Sequence, residues 1–201
     1  MGSDDRSEEP AVRGPIVADV FRALEETDLY GPSWRALRRK RPDQAEELKE
    51  VGQYEWVPAE AYAALLEEAL LLAGGSDRLR EMGRAWVKME LADGGRYATM
   101  RRSWLRTFGD GPAEVVRLAP HLWRASMRKN GRVTKGDSGR GFVRMVLENA
   151  PVVRGSAAWQ ALLEGSLQGL LELSSPSVQV QLGPSAVDPE LVEGIVLWPT
   201  R

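Results

Sequence analysis

The stretch LWRASMRKNGRVTKGDSGRGFVRMVL, residues 122–147, decides the fold class, because the hydrophobic period changes within it. Trp123, Ala125 and Met127 alternate with Arg124, Ser126 and Arg128, which predicts a half-buried strand. Asn130-Gly131 opens a polar loop expected to run to about Gly141. Phe142 to Leu147 reads as a second strand. Downstream, Ala157 to Leu173 has helical spacing, with Trp159, Leu162, Leu163, Leu167, Leu170 and Leu171 on its inner side. Gly165 and Gly169, four apart on that helix, would let it approach the sheet closely. Val178, Val180 and Leu182 alternate with polar residues, and Ile195 to Leu197 close the chain as a strand after a hairpin loop from Gly183 to Glu190.

Upstream of residue 122 the pattern is helical. Ile16, Val17, Val20, Phe21 and Leu24 fall on one face, stopped by Tyr30-Gly31-Pro32. Short helices are expected over 34–40 and 42–51. The clearest helix begins near Pro58, carries Tyr62, Leu65, Leu66, Ala69, Leu70 and Ala73 inward, and ends at Gly74-Gly75. Leu71 and Leu72 widen its apolar face. Leu79, Met82, Trp86 and Met89 form the next stripe, and Gly83 leaves room for a neighbour. A further helix carries Tyr97, Met100, Trp104, Leu105 and Phe108. The expectation is an α+β fold: a helical N-terminal half followed by a ββαββ unit with a four-stranded antiparallel sheet. It divides into a disordered leader over 1–14 and one domain over 15–198.

A chain of 201 residues with 43% hydrophobic content is long enough for a substantial core. It has no cysteine, which excludes a disulfide scaffold, a thiolate metal site and a cysteine nucleophile. No apolar run reaches the roughly 18 residues that span a bilayer. The first ten residues are acidic and polar, not basic then apolar as in a secretory signal. A cytoplasmic location is expected.

The motifs that could carry chemistry lack their context. Gly136-Asp137-Ser138-Gly139 matches the nucleophile tetrapeptide of trypsin-like proteases, but that chemistry needs a base histidine and a buried aspartate on a double β-barrel. The glycines at 136, 139 and 141 could suggest a phosphate loop, yet a strand follows where a helix N-terminus is required. His121 is the sole histidine. It follows Pro120 at an expected helix-to-strand junction and reads as a partly exposed residue. Glu46, Glu47, Glu50, Glu67 and Glu68 lie opposite leucines and read as a solvated helix face. Trp86, Trp104, Trp123 and Trp159 read as core, and Trp56 as packing at a helix junction. No metal site and no catalytic residue follow from these patterns.

Charge is unevenly distributed although the total is only −2. Eleven Lys/Arg lie between Arg101 and Arg144, opposed by Asp110, Glu114 and Asp137. Arg35, Arg38, Arg39, Lys40 and Arg41 form a second cluster. Arg124, Arg128, Lys129, Arg132 and Arg140 are the candidate contact residues for a protein partner or an anionic ligand. They occur on successive elements, not on one recognition helix, so nucleic-acid binding is the lesser alternative.

Several landmarks occur in a familiar order. They are Tyr54-x-Trp56-x-Pro58, Met82-Gly83-Arg84, two strands after Pro120, a helix holding Trp159 and Gly165, and a last strand ending in Trp198. Over roughly residues 15–198 this order resembles the haem nitric-oxide-binding and 4-vinyl-reductase-like superfamily, nearest a group of uncharacterised myxobacterial paralogues. Haem-binding members of that superfamily use a helix histidine and a Tyr-x-Ser-x-Arg motif that holds the propionates. This chain has no Tyr-x-Ser-x-Arg, and His121 is followed by Leu122-Trp123-Arg124. The resemblance therefore implies a haemless member, with no cofactor and no haem ligand carried over. It also implies small-molecule sensing or regulation within signalling. The expected function is a non-enzymatic regulatory module binding a small apolar or anionic ligand, or a protein partner, in a cleft between the helical half and the sheet. A haem-based gas sensor is the alternative.

Overall fold

The computed structural model describes residues 9–49, 52, 55–95, 97–108 and 111–200. Glu50, Tyr54 and Asp110 lie outside the described residues, as do the side chains of Trp104, Leu105 and Phe108. Strand β1 (Ala11–Arg13) leads directly into helix α1 (Gly14–Glu26), where Pro15 supplies the pre-set φ of a first turn. β1 lies inside the 1–14 segment that the sequence reading left outside the domain. Helices α2 (Tyr30–Lys40) and α3 (Pro42–Glu47), strand β2 (Trp56–Pro58) and helix α4 (Ala59–Ala73) follow. β1 is the centre of a small antiparallel sheet, flanked by β2 and by β3 (Met127–Arg128), with Val12 opposite both Val57 and Met127. Periodicity could not reveal this sheet, since two or three residues per strand are too few to show a period.

α4 is the centre of the helical half. Tyr62, Leu65, Leu66 and Ala69 are all within 1% of full burial. Gly74 ends the helix at φ +75°, a left-handed position that costs other residues steric strain. Leu71 and Leu72 do not widen the buried face: they are 69% and 47% exposed, because the last turn of α4 runs past its neighbours. Leu66→Ala is expected to cost about 2–5 kcal/mol, and Leu163→Ala, half-buried, a value near the lower end of that range. Urea unfolding checks this, and losses under about 0.5 kcal/mol would reverse the assigned faces.

Helix α5 (Ser76–Leu91) packs along α10 (Ala157–Glu172), and these two helices make the most extensive helix contact in the chain. Small residues set the distance. A Cβ at Gly169 would lie 2.5 Å from the Arg84 carbonyl oxygen, one at Gly83 would lie 2.7 Å from that of Leu162, and one at Gly165 would overlap the Arg80 carbonyl. The two glycines of α10 therefore admit α5, not the sheet as the sequence reading expected. The contact is edged by charge: Arg80 pairs with Glu164 at 2.8 Å, and Arg84 and Lys88 meet Glu172 at 2.9 and 3.1 Å. Burial pushes the Glu172 carboxyl up. Hydrogen bonds from Arg84, Gln168 and Lys88, with the Arg84 charge, outweigh that and hold it below its usual range. Its stabilising share is present at neutral pH and is lost as pH falls through that depressed range.

Between α5 and α10 lie α6 (Ala98–Phe108), α7 (Pro112–Val116), α8 (Ala119–Ser126), β3, β4 (Arg132–Gly139), β5 (Phe142–Glu148) and α9 (Pro151–Gly155). β6 (Gln179–Pro184) and β7 (Val192–Leu197) follow α10. The four long strands form an antiparallel sheet in the order β4-β5-β7-β6, the expected ββαββ unit. Its register aligns Val143, Val196 and Val180 in one buried row. Gly194 lies opposite Met145 and Leu182, whose side chains close over it.

Two local assignments differ from the sequence reading. The alternating segment from Trp123 is helical as far as Ser126, and only Met127 and Arg128 are strand: Pro120 sits in the first turn of α8, and Trp123 is the one buried residue of that helix. Five alternating residues fit one face of a short helix as well as a strand. The first strand of the unit is β4, which includes the Gly136–Gly139 stretch expected as loop. β4 is an edge strand, held by pairing with β5 and broken by a bulge between Lys135 and Ser138, so it needs little hydrophobicity of its own. The opposite edge is covered differently. The side chains of α10 reach β6: Val180 N donates to Gln168 Oε1 (2.8 Å), Leu182 N donates to Glu164 Oε2 (3.1 Å), and Gln168 Nε2 donates to the Val178 carbonyl (2.8 Å). Pairing an edge in this way blocks its extension by another strand.

The core has two parts. The larger joins α1, α4, α5 and α10 to Trp123, Leu147, Val153 and Val192, and the smaller lies beneath the sheet around Val143, Val180 and Val196. Val133 of β4 packs against both.

Candidate functional site

α8 and the turn after it place most of the candidate basic residues. Trp123 is buried, and its indole N–H donates to the carbonyls of Asn130 (3.1 Å) and Gly131 (3.2 Å). That bond ties α8 to the β3–β4 turn. Lys129 and Gly131 take positive φ (+48° and +75°), and a side chain at Gly131 would overlap the Glu148 carbonyl. Between them Asn130 is fully buried, and neither amide atom of its side chain has a hydrogen-bond partner. The Asn130-Gly131 pair reads as a turn from sequence. Nothing in that signal reveals that the asparagine faces inward, so this group was missed.

Arg124 is exposed on α8, with Nη2 3.0 Å from His121 Nδ1 and Nε donating to the Pro120 carbonyl at 3.3 Å. Arg128, on β3, lies over the Trp56 ring at 5.2 Å, and Arg13 approaches the same ring at 6.0 Å. Trp56 is thus a strand residue under a guanidinium, not a helix-junction residue. Lys129 is exposed. Arg132 opens β4 and grips Glu148 through Nε (2.7 Å) and Nη2 (2.6 Å), and these hydrogen bonds hold the Glu148 carboxyl below its usual range. Arg140 is exposed in the β4–β5 turn. Arg124, Arg128, Lys129 and Arg132 are close in sequence around one turn, whereas Arg140 lies at the far end of an eight-residue strand, roughly 25 Å from Arg132.

His121 is exposed on α8, within the helix instead of at its end. Asp137 and Ser138 are both exposed on β4. Among the described residues no group of three His, Asp or Glu side chains could hold a metal ion.

The interior holds polar groups, one of which the sequence reading placed outside. Asp19 is 1% exposed and accepts from the Tyr97 hydroxyl at 3.0 Å, while buried Glu90 meets Arg22 at 3.0 Å. Glu68, expected on a solvated face, is buried and held by Lys40 at 2.8 Å. Tyr62 is buried against Trp159, edge to face, with ring centroids 4.9 Å apart. Burial, with the nearby Asp19 charge, pushes its phenol far above the ordinary range. At the join expected to hold an apolar cleft, Trp123, Leu147, Val153 and Val192 are buried in the larger core. An open cleft of about 220 Å³ lies on the α5–α10 side, lined by Asp77, Arg80, Glu81, Arg84, Glu164, Gly165, Gln168 and Val180. Five of its eight lining residues are charged.

No protein-family model matches the chain, and no curated protein matches it. Solved structures do. The chain superposes on the Fe(II) unliganded H-NOX protein from K. algicida with a TM-score of 0.62 at 9% identity, covering 94% of this chain and 97% of that one. An oxygen-binding H-NOX domain related to soluble guanylate cyclases gives 0.54 at 13% identity, with 92% of each chain covered. A mutant H-NOX of T. tengcongensis gives 0.53 at 13% identity, covering 92% of this chain and 96% of that one. The fold is H-NOX-like. The likeness spans helical half and sheet together, as the order of landmarks in the sequence implied. No helix of the described chain is long and apolar enough to cross a membrane.

Proposed function

We propose that this chain is a haem-free, sensor-like regulatory module on the H-NOX-like fold, which binds a small ligand or a protein partner and performs no covalent chemistry. The observation that carries the reading is the position of the sole histidine. His121 is exposed on α8 with its Nδ1 against Arg124, so no imidazole reaches the interior. Tyr62, a buried phenol, is a poor source of phenolate because burial opposes its ionisation. The interior beside it is filled by the Trp159 ring. These donors do not fit a histidine-ligated haem. Ser138 is exposed and the sole imidazole, His121, meets Arg124, which supports the non-enzymatic part of the reading.

The partner face is assigned to Arg124, Arg128, Lys129, Arg132 and Arg140. Protein mixed with excess hemin and then desalted is expected to show no stoichiometric Soret band. A near-stoichiometric band in the wild type that disappears in His121→Ala would overturn the haem-free reading and restore the gas-sensor alternative.

A further inference from the structure

Five of the eleven cations that the sequence concentrates between 101 and 144 are answered by the chain's own acids. Arg101 and Arg102 lie within 4 Å of Asp93, Arg117 of Glu114, Arg132 of Glu148 and Arg144 of Glu193. The smaller cluster on α2 behaves differently. Lys40 and Arg41 are taken by Glu68 and Glu67. Arg35, Arg38 and Arg39 are exposed and make no ion pair among the described residues. Their spacing of three and four puts them on one side of α2, within about 6 Å along the axis.

The adjoining side of α2, reached through Arg38, carries rings. Tyr30, Trp34 and Arg38 follow at intervals of four. Trp34 stacks on Tyr30 (centroids 6.0 Å, 20°), and Phe21 of α1 closes on both at 5.2 and 6.5 Å. All three rings are only half-buried. Trp, Tyr and Arg on one patch are the residue types that dominate binding energy at protein interfaces.

We infer that the Arg35/Arg38/Arg39 face of α2, with the Phe21–Tyr30–Trp34 rings beside it, docks a short acidic segment of a partner protein: two or three carboxylates next to one aromatic or aliphatic side chain. Three cations within one helical turn match a few discrete carboxylates. They are too few for nucleic acid, whose binding at physiological salt relies on many phosphate contacts. The patch is also bordered by exposed carboxylates at the end of α1. Glu25 lies near enough to Tyr30 to push its hydroxyl pKa up, behind burial as the larger cause, and Glu26 and Asp28 are exposed beside it. An acidic border repels an extended polyanion or an anionic bilayer and tolerates a short motif placed between its charges. This face is separate from the β3–β4 residues assigned above, so either assignment can fail without the other.

The test uses a fluorescein-labelled peptide, Asp-Glu-Leu-Asp-Glu-Phe, titrated with the full chain at about 50 mM salt and read by fluorescence anisotropy. Binding is expected to weaken at least tenfold in the triple variant Arg35→Glu, Arg38→Glu, Arg39→Glu, which retains its circular dichroism because these side chains have no internal ion pairs to lose. The control triple Arg106→Glu, Arg117→Glu, Lys135→Glu changes net charge equally at other exposed sites and is expected to keep the wild-type affinity. A peptide lacking Leu and Phe should bind at least threefold more weakly. Equal losses in both triples, no peptide binding by the wild type, or tighter binding of a labelled 12-nucleotide single strand or of phosphatidylserine vesicles would overturn the proposal.

Discussion

Trp159→Ala is expected to lower the unfolding free energy by about 3–5 kcal/mol. The indole is 1% exposed, lies edge to face with Tyr62, and begins the helix that joins both halves of the fold. Its backbone N–H is held by the Ser156 hydroxyl at 3.2 Å, so truncation removes the ring while leaving the helix cap intact. The loss is therefore a packing loss, with little rearrangement available because α4 and α10 cross there. Each kcal/mol corresponds to about 2–4 °C in Tm for a domain of this size, so a fall of about 6–20 °C is expected. Trp56→Ala removes a half-buried ring from the small sheet and should cost clearly less. Equal losses in the two variants, measured by urea unfolding, would show that Trp159 is not central to the core.

The second large effect is Gly165→Ala. One methyl group there meets the Arg80 backbone carbonyl, which cannot swing away as a side chain could. α5 would have to move off α10, loosening the Arg80–Glu164 and Arg84–Glu172 pairs and the hydrogen bonds from α10 to the edge of β6. Alanine recovers about 1 kcal/mol of helix propensity, and the steric cost exceeds it, leaving a net loss of about 2–3 kcal/mol. Gly155→Ala is the comparison. Its added Cβ would have no neighbour within 4 Å, so a small gain or no change is expected. Thermal unfolding of the pair decides: a neutral Gly165→Ala would mean that the helix crossing is not tight in solution.

Where the sequence reading succeeded, the pattern was long enough to carry a period. α4, α5 and α10 each span fifteen or sixteen residues, and most of their inner faces were legible as apolar stripes, although on α5 Met89 is 46% exposed and Val87 and Leu91 are buried in its place. β5, β6 and β7 alternate for six or seven residues and were placed within a few positions. Where it failed, local signals were ambiguous. Residues 123–127 satisfied two periods at once, and β4 carried too few apolar residues to look like a strand at all. The candidate site was harder still. Asn130 announced a turn, and only its neighbours make it a buried amide without a partner. The basic residues were visible as a count, but the count did not say which were already neutralised.

The sequence by itself determined the fold class, the order helices then ββαββ, and a chemical inventory with no thiol and one imidazole. Those follow from composition and from periods that each element carries within itself. Only the tertiary structure decided which polar groups are interior and which cations are spoken for. Those properties belong to pairs: Arg84 and Glu172 stand 88 residues apart, Arg22 and Glu90 68 apart, and Lys40 and Glu68 28 apart. Charge pairing and burial depend on which residues the folded chain brings together, and nothing local in the sequence encodes that distance.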